Sequence, residues 1–278
     1  MATTEKLNKL LDEGAASLYG KAVCLIGKCE KIIFTKNINC SLDSIFDLAS
    51  ITKVLTATMI FKLIGEGKLS LDKKLIDLFN DKPIGEITRD RFKEISLQDL
   101  LTHSSGLPAW YPFYTQNDSF YNILEIVLEK YKPEEGTVYS DLGFMLLGEI
   151  ICSITGRTLE ENLDALNKEL QTSFLFNPKA KAIPIETCVE TERGNLIERG
   201  MCSSRDLTFD NFRSVEENMC AEVNDGNSFY FWKGVSGHAG IFGTAGDLIK
   251  LGSLYLNKGN LNEKLIIPPD LAEKSVLD

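Results

Sequence analysis

One segment limits the folds open to this chain more than any other: SITKVLTATMIFKLIGEG, residues 50–67. It is apolar on nearly every helical face and closes with Gly65 and Gly67, so it reads as a buried helix ended by a glycine cap. A helix of that kind must be covered on all sides, and 278 residues are enough to build the surrounding body. Its first turn nevertheless carries a charge. Lys53 lies three residues after Ser50, and a lysine in such a setting needs a partner or a purpose.

Composition excludes several purposes. A net charge of −10 offers no basic face for nucleic acid or anionic lipid. No apolar run approaches the length of a membrane span. The N-terminal stretch MATTEKLNKLLDEGAASL reads as an acidic amphipathic helix rather than a signal peptide, so a cytoplasmic location is expected. The seven cysteines form no C-x-x-C pair and read as reduced structural thiols. With only His103 and His238 present, neither H-E-x-x-H nor a three-histidine zinc site can form, and no metal or cofactor is expected.

Along the chain, KAVCLIG and EKIIFTK read as a hairpin split at Gly27-Lys28-Cys29. Helical patterns follow at 71–79, 96–102, 119–131, 140–155 and 158–170, then near 245–257 and from Pro268. Residues 172–225 are polar and irregular. The expected architecture is α+β: a body formed by 1–68 and 226–278, with a mainly helical insert over 69–225.

On a helix, Ser50 and Lys53 share one face. A serine hydroxyl is a weak nucleophile until a base takes its proton, and a desolvated lysine can be that base. A second S-x-x-K, Ser70 to Lys73, follows the glycine stop and reads as a helix cap with a solvated lysine. Taken alone, the Ser50 copy could equally be a capping serine beside a snorkelling lysine.

The wider context resembles a known family. FDLASITKVLTATMIFKLIGEGKLSLDKKL followed by ISLQDLLTHSSGLP is similar to the serine β-lactamase and penicillin-binding-protein-like hydrolases, in their class C and esterase branch. YSDLGFMLLGEIICSITGRTLEE resembles that family's Y-x-N motif and its helix, and VNDGNSFYFWKGVSGHAGIFGTAGDL its stretch leading into a late helix. The resemblance implies a β-lactamase/transpeptidase-like fold: an antiparallel sheet flanked by helices, plus an all-helical subdomain. It implies Ser50 as acylated nucleophile, Lys53 as its base and Tyr139 as a proton relay. Asp141 stands where the family has Asn and could either orient Lys53 or weaken it as a base. Trp110, in the aromatic loop LPAWYPFY, is expected at the cleft rim, while His103 reads as structural.

The family's third motif, K-T-G or H-x-G on a core strand, is harder to place. GHAG, with His238 and Gly240, looks like it, yet its flanks resemble an earlier segment that runs into a helix. The C-terminal strands are then expected to be missing, leaving an incomplete sheet with an edge through which the chain could oligomerise and activity reduced. The expected function is hydrolysis of a small ester, amide, peptide or β-lactam-type substrate through an acyl-enzyme. The alternative is a truncated or inactive protein of this fold that binds ligand without turnover.

Overall fold

The structure, a computed structural model, describes residues 2–28, 31–216 and 218–277. Cys29, expected at the hairpin turn, lies outside them. Helix α1 (Ala2–Ser17) leads into an antiparallel hairpin of β1 (Ala22–Lys28) and β2 (Lys31–Ile38). The pairing runs from Ala22 opposite Ile38 and shifts register between Ile26 and Gly27. The short strand β3 (Phe46–Asp47) then turns into α2 (Thr52–Gly65).

Helices α3 (Leu75–Leu78), α4 (Glu86–Glu94), α5 (Leu97–Leu101), α6 (Phe120–Lys130), α7 (Asp141–Thr155) and α8 (Leu159–Leu170) follow, and α7 and α8 pack directly against α2. Local chemistry sets several of their ends. Ser140 caps α7 by accepting the Gly143 N–H, and Gly156, at φ 67°, stops it with a left-handed turn. Thr158 and Glu161 form a reciprocal capping box at the start of α8. Leu55 and Ile60 of α2 and Leu142, Leu146 and Leu147 of α7 are completely buried in one apolar core.

The remaining elements are β4 (Leu175–Phe176), α9 (Leu196–Ser203), β5 (Ile241–Gly243), α10 (Ala245–Leu256), β6 (Asn260–Leu261), β7 (Lys264–Leu265) and α11 (Pro269–Lys274). Strands β3, β5 and β4 form a three-stranded antiparallel ladder with the fully buried β5 at its centre. The described strands are antiparallel, as expected, but are divided among small separate sheets. The hairpin is not part of that ladder; β1 packs against α10 and β2 against α1. Among the described residues, no single helix is long and apolar enough to cross a membrane.

Candidate active site

The site begins with a strained turn. Ala49 adopts φ 46°, a left-handed conformation that a side chain disfavours. Asp47 holds it there: one carboxylate oxygen accepts the Ala49 N–H at 2.8 Å and the other the Asn224 N–H at 2.7 Å. Burial nevertheless raises the Asp47 carboxyl above its ordinary range, against those two hydrogen bonds. Ser50 follows, exposed, in a 3-10 turn (Ala49–Ile51) that runs straight into α2.

One turn on, Lys53 is buried, at 5% exposure. Its Nζ donates to Ser50 Oγ at 3.3 Å and to the His238 carbonyl at 3.0 Å, and pairs with Asp141 Oδ1 at 2.7 Å. The ammonium also lies over the Tyr139 ring, 4.8 Å from its centre. This supplies the partners that Lys53 needs inside an apolar helix. Ser70 and Lys73 form no such site: both are exposed, and Lys73 pairs with Asp77 at 3.3 Å.

Asp141 opens α7, where the helix dipole favours a negative charge. Its N–H donates to the Ala109 carbonyl, while the Ser140 hydroxyl donates to the Pro108 carbonyl. The aromatic loop therefore meets the site through its backbone. Its side chains do not line an open rim: Trp110 is 8% exposed and packs with Tyr114 and Cys202. Burial of large aromatic surface outweighs exposure at a cleft edge.

Tyr139 borders the site, but its expected hydrogen bond to Ser50 is absent among the described residues. Its ring lies on Lys53 and stacks on His103, with centres 4.5 Å apart. His103, read from sequence as structural, orients this wall. Its Nδ1 accepts the Ser140 N–H at 3.1 Å, and its carbonyl accepts the Val138 N–H. Burial, followed by the Lys53 charge, holds the His103 imidazole below its ordinary range, favouring the neutral ring that can accept this bond.

The GHAG segment is fixed to α2 along one helical face. Thr52 Oγ1 accepts the Ile241 N–H, and Thr56 Oγ1 donates to the Gly237 carbonyl at 2.7 Å. His238 is completely buried and reaches Lys53 only through its carbonyl. Its ring bridges Ser236 Oγ at Nδ1, 2.7 Å, and Asp225 Oδ1 at Nε2, 2.8 Å. Gly240, at φ 118°, has the Gly234 carbonyl and Ser228 Oγ where a side chain would begin, so its role here is close packing.

Asp225 and Glu198 escaped the sequence reading. Asp225 also accepts the Ser228 N–H at 2.7 Å; burial opposes its charge, but His238 and this N–H hold it below the ordinary carboxylate range. Glu198 accepts the Gly226 N–H and the Tyr114 hydroxyl. Burial and then the Asp225 charge push its carboxyl up to about 7. Asp141, Asp225 and His238 bring ligand-type atoms within 4.8 Å of one another. Lys53 is already the cation paired with Asp141, and His238 Nε2 is engaged by Asp225, so no metal is assigned.

Residues 7–274 match the family model for Beta-lactamase, and the chain belongs to that family. It is 34% identical over 235 residues to an N-acetylmuramyl-L-alanine amidase of Bacillus subtilis, covering 78% of this chain and 51% of that protein. It is 30% identical over 274 residues to a provisionally named D-alanyl-D-alanine carboxypeptidase of Escherichia coli, covering 92% and 61%. The chain thus spans between half and two thirds of the length of these relatives. The octameric penicillin-binding protein homologue from Pyrococcus abyssi superposes with a TM-score of 0.69 at 19% identity, over 99% of this chain and 60% of that one. A class C β-lactamase from Rhodobacter sphaeroides gives 0.65 at 16% identity, over 99% and 68%. These likenesses establish the β-lactamase/transpeptidase-like fold.

Proposed function

We propose that this chain carries the acylating centre of a serine hydrolase acting on an amide, peptide or ester, with Ser50 as nucleophile. The observation that carries the reading is Lys53 Nζ 3.3 Å from the Ser50 hydroxyl, with Lys53 buried in the first turn of α2 and Ser50 open to solvent. The amidase and carboxypeptidase names of the relatives favour amide or peptide substrates.

In the proposed cycle, deprotonated Lys53 takes the hydroxyl proton as Ser50 Oγ attacks the substrate carbonyl. Collapse of the tetrahedral intermediate breaks the bond to the leaving group, which receives that proton through Lys53 or Tyr139. Water then attacks the acyl-serine and gives a proton to the same base; the acyl–Oγ bond breaks, Ser50 Oγ takes that proton back, and the acid is released. Asp141 supports a second reading, ligand binding without turnover. At 2.7 Å its carboxylate engages the same Nζ that the cycle needs as a base.

Incubation with a fluorophosphonate, followed by mass spectrometry of the labelled peptide, tests the nucleophile. Ser50→Ala should abolish labelling, and Ser70→Ala should leave it unchanged. Full labelling of Ser50→Ala overturns the assignment. Multiple turnovers of a chromogenic ester separate the hydrolase from the binding protein.

A further inference from the structure

The acylating pair is anchored to a buried chain of groups that the cycle above does not use. The carbonyl holding Lys53 belongs to His238, whose ring is clamped at both nitrogens by Ser236 and Asp225. Nε2 donates to the Asp225 carboxylate, and Nδ1 shares a proton with the Ser236 hydroxyl. The neighbouring carbonyls are tied down as well, Gly237 by Thr56 and Ala239 by Ser228. The ring cannot shift without moving the carbonyl on Lys53.

Asp225 has a second link to the pair. One of its oxygens lies within 4.8 Å of an Asp141 oxygen, and Asp141 in turn is 2.7 Å from Lys53 Nζ. The groups facing Lys53 are Asp141 from α7, Tyr139 and His103 from the loops beside α7 and α5, and Asp225 and His238 from the stretch before β5. Glu198 lies behind Asp225. Lys53 is the one cation among them apart from any proton on a histidine.

We infer that Asp225, His238 and Ser236 form a positioning relay for Lys53: His238 fixes the carbonyl that aims Nζ at Ser50, and Asp225 places a second negative charge beside the Asp141–Lys53 pair. The inference rests on Ser50 and Lys53 being the acylating pair. It makes Asp225 a determinant of the pH at which Ser50 reacts, without contact with substrate.

The test is the pH dependence of fluorophosphonate labelling. In that reaction the Ser50 Oγ–phosphorus bond forms, the phosphorus–fluorine bond breaks, fluoride leaves, and the hydroxyl proton passes to Lys53. Asp225→Asn keeps an acceptor for His238 Nε2 and removes only the charge. Its acid limb should move about one pH unit lower, so that labelling on that limb is up to about tenfold faster, with the plateau unchanged. Ser236→Ala frees the ring but leaves the charge, and should slow labelling roughly three- to tenfold at every pH with the limb unmoved. An unmoved limb in Asp225→Asn, or the same uniform loss in both variants, overturns the relay. If Asp225→Asn does not fold, Asp225→Glu replaces it: slower labelling with the limb retained is expected, and the parent's rate overturns the relay. Labelling that persists in Ser50→Ala removes the pair and the relay with it, a result distinct from an unmoved limb in a Ser50-dependent reaction.

Discussion

The face of α2 and the N-terminal hairpin are built to different standards. On α2, Thr52, Lys53 and Thr56 each bond to the 237–241 segment, and Leu55 and Ile60 are completely buried. In the hairpin no described residue is buried; Ile32 and Ile33 are 46% and 60% exposed, and nearby Leu10 of α1 is 65% exposed. Both regions are rich in apolar residues. The difference shows where folding free energy supports chemistry: Lys53 stands on a buried helical face tied to the 237–241 segment, with Ser50 one turn before it, as a preorganised site requires.

The largest expected effect sits in that region. Leu55→Ala empties a completely buried position beside the nucleophile helix and should cost about 2–5 kcal/mol, read as a drop in the urea midpoint. A loss no larger than that of a hairpin substitution would erase the contrast between the regions.

Glu198 supports the site from behind and carries a cost. Its folded carboxyl titrates near 7, above its ordinary 4.5, so the native state holds the extra proton. Its contribution is therefore most favourable at low pH and is lost as pH rises through roughly 4.5–7, by up to about 3 kcal/mol. Glu198→Gln should flatten this decline and raise stability at pH 8 relative to the parent. Unfolding curves at pH 5 and pH 8 measure it, and an unchanged pH slope counts against the assignment.

Two glycines sharpen the comparison through opposite signs. A side chain at Gly237 would begin 2.3 Å from the Phe144 carbonyl, where the GHAG segment presses on α7, and Gly237→Ala should cost about 1–3 kcal/mol. Gly252, in the exposed face of α10, has nothing within 4 Å, and Gly252→Ala should stabilise by about 0.5–1 kcal/mol. Thermal midpoints of the two variants should therefore move in opposite directions.

What could be read from the sequence follows the same division. Helices α2, α7, α8 and α10 were legible because apolar periodicity and local caps such as Thr158–Glu161 and Thr244–Asp247 define them within a few residues. Helix α4 was not marked out, since EITRDRFKE buries only Thr88 and Phe92. Strands β3, β4 and β5 are two or three residues long and exist through pairing across the chain, as between Phe46 and Gly243, which no local pattern announces. Ser50 and Lys53 were legible because an isolated charge in an apolar run is conspicuous. Asp225 and Glu198 were not, because an acid in a polar, irregular stretch of sequence looks solvated until its distant partners close over it.

The smallest effect concerns the hairpin itself. Ile33 is 60% exposed on β2, so replacing it removes little buried surface. Ile33→Thr keeps the β-branched shape that suits a strand and exchanges an apolar tip for a hydroxyl already in water. Its effect on unfolding should lie within about 0.5 kcal/mol, as for ordinary surface positions, while the labelling rate of Ser50 stays unchanged. If instead Ile33→Thr lowers stability by more than about 1 kcal/mol, this face of the hairpin is covered in solution. Sedimentation of the parent and the variant at matched concentrations would then identify the cover. A parent dimer lost in the variant would place a second copy of the chain on the exposed strand, and the contrast between the two regions would hold only for the isolated protomer.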